Sequence, residues 1–291
     1  MINTLSIIIP AKNEHDGLRK ILPSLCSMYG DAEIIIVDDG STDDTRELCQ
    51  AYPVKLISHK YSMGNGASIK TGVRNSNGEI LVFMDADGQH QPEEISKLLD
   101  KIADGFDMVV GARKMDHHAS TARYIANSLY SRFASRVTGH RVDDLTSGFR
   151  AIRADKIKQF LYLLPNGFSY PTTITMALFR AGYSVCYVPV DVLERTGNSH
   201  IRPLVDGVRF LLIIFRIGTL YSPLKFFVPA SVFMFVTGVG YYCYTYFTSG
   251  RFTNMGILLF IMSVMIFLIG LLSEQLTVLL YSHSQDKRPE S

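Results

Sequence analysis

The sequence has no tryptophan and only four cysteines among its 291 residues. The cysteines lie far apart and form no C-x-x-C pair, which favours a reduced compartment over a disulfide framework or a zinc site; they are Cys26, Cys49, Cys186 and Cys243. The formal net charge is only +2, so the overall balance gives no indication of nucleic-acid binding. Because no basic segment precedes the short apolar run that ends at Pro10, we expect no signal peptide.

Charged residues become scarce after Pro203. Residues 226–247 and 255–273 contain none, and each stretch is close to the ~20 residues that a helix needs to cross a membrane. The short polar segment 248–254 connects them, so residues 223–291 are predicted to form a transmembrane hairpin with a short tail. A pair of buried core helices is the alternative. Glu274 is either a functional residue or the end of its span.

Basic residues predict how the hairpin and the segment before it meet the membrane. They flank the hairpin and are scarce in its connection: Arg209, Arg216 and Lys225 come before, Lys287 and Arg288 after, and only Arg251 between. By the positive-inside rule, both ends of the hairpin face the cytoplasm. Residues 201–222 are predicted to form an interfacial amphipathic helix, because Arg202, Asp206, Arg209 and Arg216 make a charged stripe on an apolar helix.

Residues 1–200 are predicted to form an α/β domain with a mostly parallel sheet. Short apolar runs alternate with amphipathic stretches, and the runs show no polar alternation, as expected of parallel strands covered on both faces. The predicted strands are residues 5–10, 33–37, 54–58, 80–84 and 108–112. The predicted helices are residues 17–28, 43–51, 66–75 and 92–103.

Polar clusters follow three of these strands. They are Lys12 to Glu14, Asp38 to Thr42, and Asp85 to His90. In an open parallel sheet, ligands bind in the crevice outside the carboxyl ends of the strands. We therefore expect the three clusters to meet in one site.

The D-x-D cluster predicts a metal site. Asp85, Asp87 and Gln89 offer oxygen ligands that suit Mg²⁺ or Mn²⁺ held together with a diphosphate. The alternative is an Asx turn that leads into a helix starting at Pro92.

Two further segments have competing interpretations. Segment 37–45 either binds a nucleoside or caps the next helix, and the two roles are compatible. In segment 63–72, the backbone near Gly64 either approaches a phosphate or ribose or forms a plain turn.

Several motifs in a fixed order resemble those of one enzyme family. They are "IIIPAKNE", "VDDGSTDDT", "GNGASIKTG", "MDADGQHQPEEI", "VVGAR", "DLTSGFRAIR" and "RTGNSH". Together they resemble the family 2 glycosyltransferases of the GT-A fold, and in particular the polyprenyl-phosphate glycosyltransferases, which include dolichol-phosphate mannose synthase and bacterial undecaprenyl-phosphate enzymes. The resemblance covers residues 4–200, and the two apolar stretches resemble the bacterial members.

The resemblance implies roles for individual residues. Those expected to bind the donor are Pro10, Asn13, Glu14 and Asp39 at the nucleoside, Gly64 nearby, Asp85, Asp87 and Gln89 around the metal, and Arg195 at the diphosphate. Those expected at the acceptor and the sugar are Arg113, Arg123, Asp144, Ser147 and Gly148. Asn127 and His200 depart from the family pattern, where Ser and Lys are frequent, and leave individual acceptor contacts open. For Arg150 and Arg153, ordinary surface charges are the alternative to a role in the site.

The implied reaction is an inverting, metal-dependent transfer of a single hexose to polyprenyl phosphate, with undecaprenyl phosphate favoured as the acceptor. UDP-glucose and GDP-mannose both remain candidate donors. A phosphate monoester is mostly a dianion at neutral pH, so no general base is needed. The resemblance also implies a multi-pass protein of the inner membrane whose catalytic domain faces the cytoplasm; self-association is left open.

Two other functions compete with this transfer. A processive polysaccharide synthase is excluded because the chain has no tryptophan for the Q-x-x-R-W segment of such enzymes. An inactive membrane-bound nucleotide-sugar sensor or scaffold is the remaining alternative.

Overall fold

The computed structural model describes residues 4–113, 131–132, 134–136, 138–167, 170–193, 215, 219, 222–250 and 253–285. The chain divides into two compact units, Met1–Pro203 and Leu204–Ser291, which are treated separately below. The predicted interfacial helix at 201–222 lies almost entirely outside the described residues.

The first unit alternates strands and helices as its sequence predicts. The strands are β1 (Leu5–Ala11), β2 (Glu33–Asp38), β3 (Lys55–Ser58), β4 (Ile80–Phe83), β5 (Met108–Arg113), β6 (Arg150–Arg153) and β7 (Val185–Val190). The helices are α1 (His15–Met28), α2 (Thr45–Gln50), α3 (Asn65–Arg74), α4 (Ile95–Ala103), α5 (Ala154–Phe160) and α6 (Tyr170–Arg180). Short 3₁₀ turns at Pro92–Glu94 and Leu161–Leu163 precede α4 and follow α5.

The described strands form one mixed sheet in the order β3-β2-β1-β4-β6-β5-β7. β1 to β4 run parallel to one another, and β7 is parallel to β5. β6 runs antiparallel to both β4 and β5. The prediction of an α/β fold with a mostly parallel sheet is confirmed, while β6 and β7 were not predicted.

The core explains why the apolar runs form the central strands. Ile7, Ile8 and Ile9 of β1 are all fully buried, as expected of a strand covered on both faces. Leu18 and Leu22 of α1 belong to the same hydrophobic core as Ile7 and Ile9. Burial of each leucine stabilises the fold by about 2 kcal/mol. The parallel arrangement of β1, β2 and β4 brings their carboxyl ends to one edge of the sheet.

The second unit contains a helical hairpin of α7 (Leu224–Ser249) and α8 (Asn254–Gln285). Reciprocal hydrogen bonds join the helices: Ser231 Oγ donates to the Ser263 carbonyl at 2.9 Å, and Ser263 Oγ donates to the Ser231 carbonyl at 3.0 Å. Gly270 allows close packing, because a Cβ there would lie 2.5 Å from Cβ of Phe227. Small and hydroxyl residues are typical of helix contacts within membranes.

Two segments of the hairpin, Leu224–Thr248 and Asn254–Leu279, are long and apolar enough to cross a membrane. Only 11% and 17% of their most apolar windows are buried, which argues against the alternative of core helices. Large apolar side chains such as Phe233 and Leu272 are exposed instead, at 68% and 63%. Glu274 falls inside the second of these segments, which by length and composition extends to Leu279.

Candidate active site

A cavity of about 450 Å³ opens at the carboxyl edge of the sheet in the first unit. Residues from all of the predicted polar clusters line it: Pro10, Ala11, Lys12, Glu14, Asp39, Ser62, Gly64, Asn65, Ser68, Asp85, Ala86 and Asp87. The structure thus brings Asp39, Asp85 and Asp87 together although they lie in separate segments. Four carboxylates and one ammonium group belong to this lining, so the cavity is strongly acidic.

Asn13 ties the loop after β1 to the loop after β2. Its side-chain oxygen accepts a hydrogen bond from Thr42 N at 2.8 Å, and its backbone N–H donates to Ser41 Oγ at 2.9 Å. Asn13 is the one described residue other than glycine with a positive φ, at 55°. This conformation is uncommon outside glycine and concentrates at functional sites.

Asp39 is buried beneath the cavity and organises the loop opposite it. Its carboxylate accepts hydrogen bonds from His59 Nδ1 at 2.8 Å, Ser62 Oγ at 2.7 Å, Met63 N at 2.7 Å and Gly64 N at 2.9 Å. Burial opposes ionisation of Asp39, but these hydrogen bonds outweigh it and hold the pKa of the carboxyl below its ordinary value. Asp39 therefore positions the rim of the cavity as well as lining it.

The start of α3, within segment 63–72, is bonded to another loop of the same unit. The N–H groups that begin α3 are already bonded, since Gly66 N donates to the Gly167 carbonyl at 3.3 Å and Ala67 N to the Asn166 carbonyl at 2.8 Å. At Gly64, where φ is 99°, a Cβ would lie 2.6 Å from the carbonyl oxygen of Asn166. Gly64 therefore packs closely on another chain segment, and the Gly66 and Ala67 N–H groups are already bonded, while Gly64 also lines the cavity.

The D-x-D loop follows β4 and is packed from two sides. A Cβ at Gly17 of α1 would lie 2.1 Å from the Ala86 carbonyl oxygen, and one at Gly148 would lie 2.5 Å from Asp85 Oδ2. Asp87 Oδ1 accepts a hydrogen bond from Gln89 N at 3.1 Å, so the alternative Asx turn is present. This turn uses one carboxylate oxygen, and within the described part of the chain Oδ2 of Asp87 has no hydrogen bond and is available to a ligand.

The donor set fits a divalent cation shared with a substrate. No group of three or more His, Cys, Asp or Glu side chains that could hold a metal occurs among the described residues. Asp85 and Asp87 nevertheless line the same cavity. One or two carboxylates completed by phosphate oxygens and water are the usual way in which proteins hold Mg²⁺. Gln89 is not part of the lining, and its Nε2 donates to the Leu193 carbonyl at 3.4 Å.

Arg113, at the end of β5, is held by the turn that precedes β6. Its Nε donates to Asp144 Oδ2 at 2.8 Å, and its Nη2 donates to Thr146 Oγ1 at 2.8 Å. Asp144 Oδ1 also accepts from Thr146 Oγ1 at 2.9 Å and from Ser147 N at 3.1 Å. Burial opposes ionisation of Asp144, but Arg113 and Thr146 keep its pKa below the ordinary value. The carboxylate therefore orients the guanidinium and is poorly suited to accept a proton.

The interpretation of Arg150 as a surface charge is wrong. Its side chain is the largest fully buried one among the described residues, and it donates to the Ser147 and Pro171 carbonyls and to Thr175 Oγ1. Arg153, in the same strand, is half-buried and donates to the Ile102 carbonyl at 3.0 Å.

Sequence reasoning placed Lys12 and His90 in the predicted polar clusters but gave neither residue a role of its own. Lys12 lines the cavity, and its Nζ donates to Ser62 Oγ at 3.0 Å. His90 is buried and stacks on Phe149 with ring centroids 4.7 Å apart. Burial lowers the pKa of His90 to about 4, so this imidazole is neutral at pH 7. Its position directly after the D-x-D motif was the only available signal.

Several predicted site residues lie outside the described residues. They are Arg123, Asn127, Arg195 and His200.

Comparisons with known proteins agree with the motifs. Residues 6–161 match the family model "Glycosyl transferase family 2", and residues 222–279 match the model "GtrB C-terminal hairpin". The polyprenol monophosphomannose synthase of Mycolicibacterium smegmatis is 30% identical over 204 residues, which are 65% of this chain and 77% of that protein. The dolichyl-phosphate hexose transferase of Haloferax volcanii is 28% identical over 206 residues, 70% of this chain and 89% of that protein.

Solved structures support the fold. Glucosyl-3-phosphoglycerate synthase from Mycobacterium tuberculosis, in complex with Mn²⁺, uridine diphosphate and phosphoglyceric acid, superposes with a TM-score of 0.61. The two proteins are 20% identical, and the match covers 75% of this chain and 78% of the other. Since the first family model alone spans more than half of the sequence and includes the D-x-D loop, the chain belongs to glycosyl transferase family 2.

Proposed function

We propose that the protein transfers one hexose from a nucleoside-diphosphate sugar to a polyprenyl phosphate, with inversion at the anomeric carbon and with Mg²⁺ or Mn²⁺ held by Asp85 and Asp87. The observation that carries this proposal is the shared cavity of Asp39, Asp85 and Asp87 at the carboxyl edge of the sheet. The location is the one expected for a nucleotide ligand in an open α/β sheet.

The charge of the cavity supports a cation at the donor site. Its lining carries the carboxylates Glu14, Asp39, Asp85 and Asp87 against the single ammonium of Lys12. A diphosphate would be repelled by this lining unless a cation were bound with it. When bound, a divalent cation neutralises the charge of the departing nucleoside diphosphate.

Arg113 is the candidate ligand for the acceptor phosphate. The Nε and Nη2 edge of its guanidinium is occupied by Asp144 and Thr146, and within the described chain Nη1 has no hydrogen bond to an oxygen. A guanidinium held along one edge presents the rest of its fork in a fixed direction, which suits recognition of a phosphate. Since the acceptor is already a dianion, Asp144 can keep its structural bonds throughout the reaction.

The hairpin and the named activities of the relatives support a lipid acceptor. Two helices able to span a membrane follow the catalytic unit, and the two curated relatives are named for polyprenol and dolichyl phosphate products or substrates. By the basic residues that flank the hairpin, we place the catalytic unit on the cytoplasmic side of the inner membrane. Undecaprenyl phosphate is the proposed acceptor, with UDP-glucose and GDP-mannose as the donors to compare.

A transfer assay tests the proposal. The full chain is reconstituted in vesicles that contain undecaprenyl phosphate and is given radiolabelled UDP-glucose or GDP-mannose with Mn²⁺. We expect label in the lipid phase with one donor, and near-complete loss of transfer in Asp87→Ala but not in Asp104→Ala, an exposed acid at the end of α4. A scaffold would bind the donor and yield no labelled lipid, and full activity of Asp87→Ala would refute the metal assignment.

A further inference from the structure

Arg150 is a buried charge without a charged hydrogen-bonding partner. Its side chain has 0% exposure. Within the described residues, every hydrogen bond of its guanidinium goes to a neutral group. Burial of a cation costs several kcal/mol unless its surroundings compensate, and here burial lowers the pKa of Arg150. A buried charge in an interior strand of the sheet therefore needs a structural reason.

The guanidinium of Arg150 joins two distant chain segments. Its Nη1 donates to the Pro171 carbonyl at 2.9 Å and to Thr175 Oγ1 at 3.1 Å, both in the first turns of α6. Its Nη2 donates to the carbonyl of Ser147, in the turn before β6. The planar fork of arginine spreads its donors over several acceptors in a fixed geometry, whereas lysine carries its three donors on one rotating nitrogen. Arg150 therefore fixes the turn relative to α6.

This turn lies directly against a proposed cation ligand. The backbone of Gly148 is so close to Asp85 that an added Cβ would lie 2.5 Å from Oδ2. The Tyr170 hydroxyl donates to the Gly148 carbonyl at 3.4 Å, and the Tyr170 ring lies 5.9 Å from the Arg150 guanidinium. The two peptide groups that flank the Gly148 Cα thus each accept a hydrogen bond at their carbonyl oxygen, while Gly148 packs against the Asp85 carboxylate.

We infer that Arg150 is a positioning residue for the cation and diphosphate site, because it holds the Ser147–Gly148 turn that sets the position of the Asp85 carboxylate. The inference rests on the proposed function insofar as it takes Asp85 to be a cation ligand. It assigns Arg150 no contact with the substrate.

Geometry and charge make opposite predictions for one substitution. Arg150→Met removes a positive charge near two acidic side chains, Asp85 and Asp144, and by charge alone it would tighten the binding of a cation. If Arg150 acts by holding the turn, the same substitution weakens cation binding. Arg150→Lys keeps the charge but loses the fork, so it should weaken binding as well.

The test measures Mn²⁺ binding to the full chain in detergent, in the presence of UDP and separately of GDP, from the loss of the EPR signal of free Mn²⁺. We expect the dissociation constant of Mn²⁺ to rise about tenfold in Arg150→Lys and Arg150→Met. Arg153→Met is the matched control, because Arg153 lies in the same strand but donates to the Ile102 carbonyl, and it should stay within twofold of the wild type. Circular dichroism establishes that each variant is folded.

Three results would overturn the inference. They are wild-type Mn²⁺ affinity in Arg150→Lys, tighter binding in Arg150→Met, and variants that are less stable but bind Mn²⁺ normally. If neither Arg150 variant folds, Tyr170→Phe removes the hydroxyl that holds the Gly148 carbonyl and should weaken Mn²⁺ binding about threefold; unchanged binding would then contradict the inference. Because no lipid is present, normal Mn²⁺ binding by a wild type that transfers no sugar would refute only the proposed function.

Discussion

Replacement of Gly17 by alanine should separate stability from activity. In the first turn of a helix, alanine is favoured over glycine by up to about 1 kcal/mol. Here, however, the new Cβ would lie 2.1 Å from the Ala86 carbonyl oxygen, in the centre of the D-x-D motif. Atoms in contact need more than 3 Å, so α1 and the loop must separate by roughly 1 Å.

The magnitude follows from these opposing effects. Overpacking of this kind costs about 1–3 kcal/mol, partly offset by the gain in helix propensity. The expected net loss is therefore ~0–2 kcal/mol, or a decrease in melting temperature of at most about 8 °C. A displacement of ~1 Å at a catalytic group can lower the rate about 100-fold. Gly17→Ala should thus remain folded and lose about two orders of magnitude in sugar transfer.

The assay is vesicle-based transfer of labelled sugar, normalised to folded protein by circular dichroism. Gly30→Ala is the matched control, because Gly30 follows the other end of α1 and its added Cβ would only approach the Cys26 carbonyl oxygen at 3.2 Å. Transfer by Gly17→Ala within threefold of the wild type would show that the contact between α1 and the loop does not position the acidic residues.

Three further perturbations have defined outcomes. Thr146→Val removes the hydroxyl between Arg113 and Asp144 and should raise the KM for the lipid phosphate about tenfold, with recovery in Thr146→Ser, whereas an unchanged KM would contradict the proposed role of Arg113. Asp144 has a lower pKa in the folded protein than its pKa of ~4 in the unfolded chain, so its ionised form stabilises the fold at pH values above ~4. This stabilisation is lost as the pH falls through the pKa of Asp144 in the folded protein. Asp144→Asn should therefore lower the urea midpoint at pH 7 and approach the wild type below pH 4. Replacing both Ser231 and Ser263 by alanine removes two interhelical hydrogen bonds and should destabilise the hairpin by about 1 kcal/mol, measured by steric trapping in bicelles, without changing the kcat of transfer.

The parallel half of the sheet could be predicted because its signals are local. Runs such as Ile34–Val37 are apolar throughout, and each is followed at once by the polar residues of the site. One topological rule, that parallel strands end at a common edge, was then enough to bring Asp39 and Asp85 together. The bounds of the predicted strands differed from the observed ones by only one residue.

The rest depended on contacts between residues far apart in sequence. The close approach of Gly64 to the Asn166 carbonyl joins positions about one hundred residues apart, and nothing near Gly64 identifies its partner. The burial of Arg150 could not be predicted for the same reason, because the acceptors that make it possible are supplied by α6. A four-residue strand with arginine at each end has the composition of a surface segment. Only the contacts with α6 show that Arg150 is buried.

The antiparallel direction of β6 explains why the polar residues that follow predicted strands did not include every residue of the site. β6 pairs with β4 through Phe83 opposite Arg150, so the start of β6 lies beside the end of β4. The residues that reach the edge of the sheet at this point are consequently those that precede β6, including Ser147 and Gly148. Considering only the residues that follow strands leaves out Ser147 and Gly148. Only the motif resemblance indicated that this turn belongs to the site. Reversing one strand thus brings the turn that precedes β6, and not a loop that follows a strand, to face the D-x-D loop.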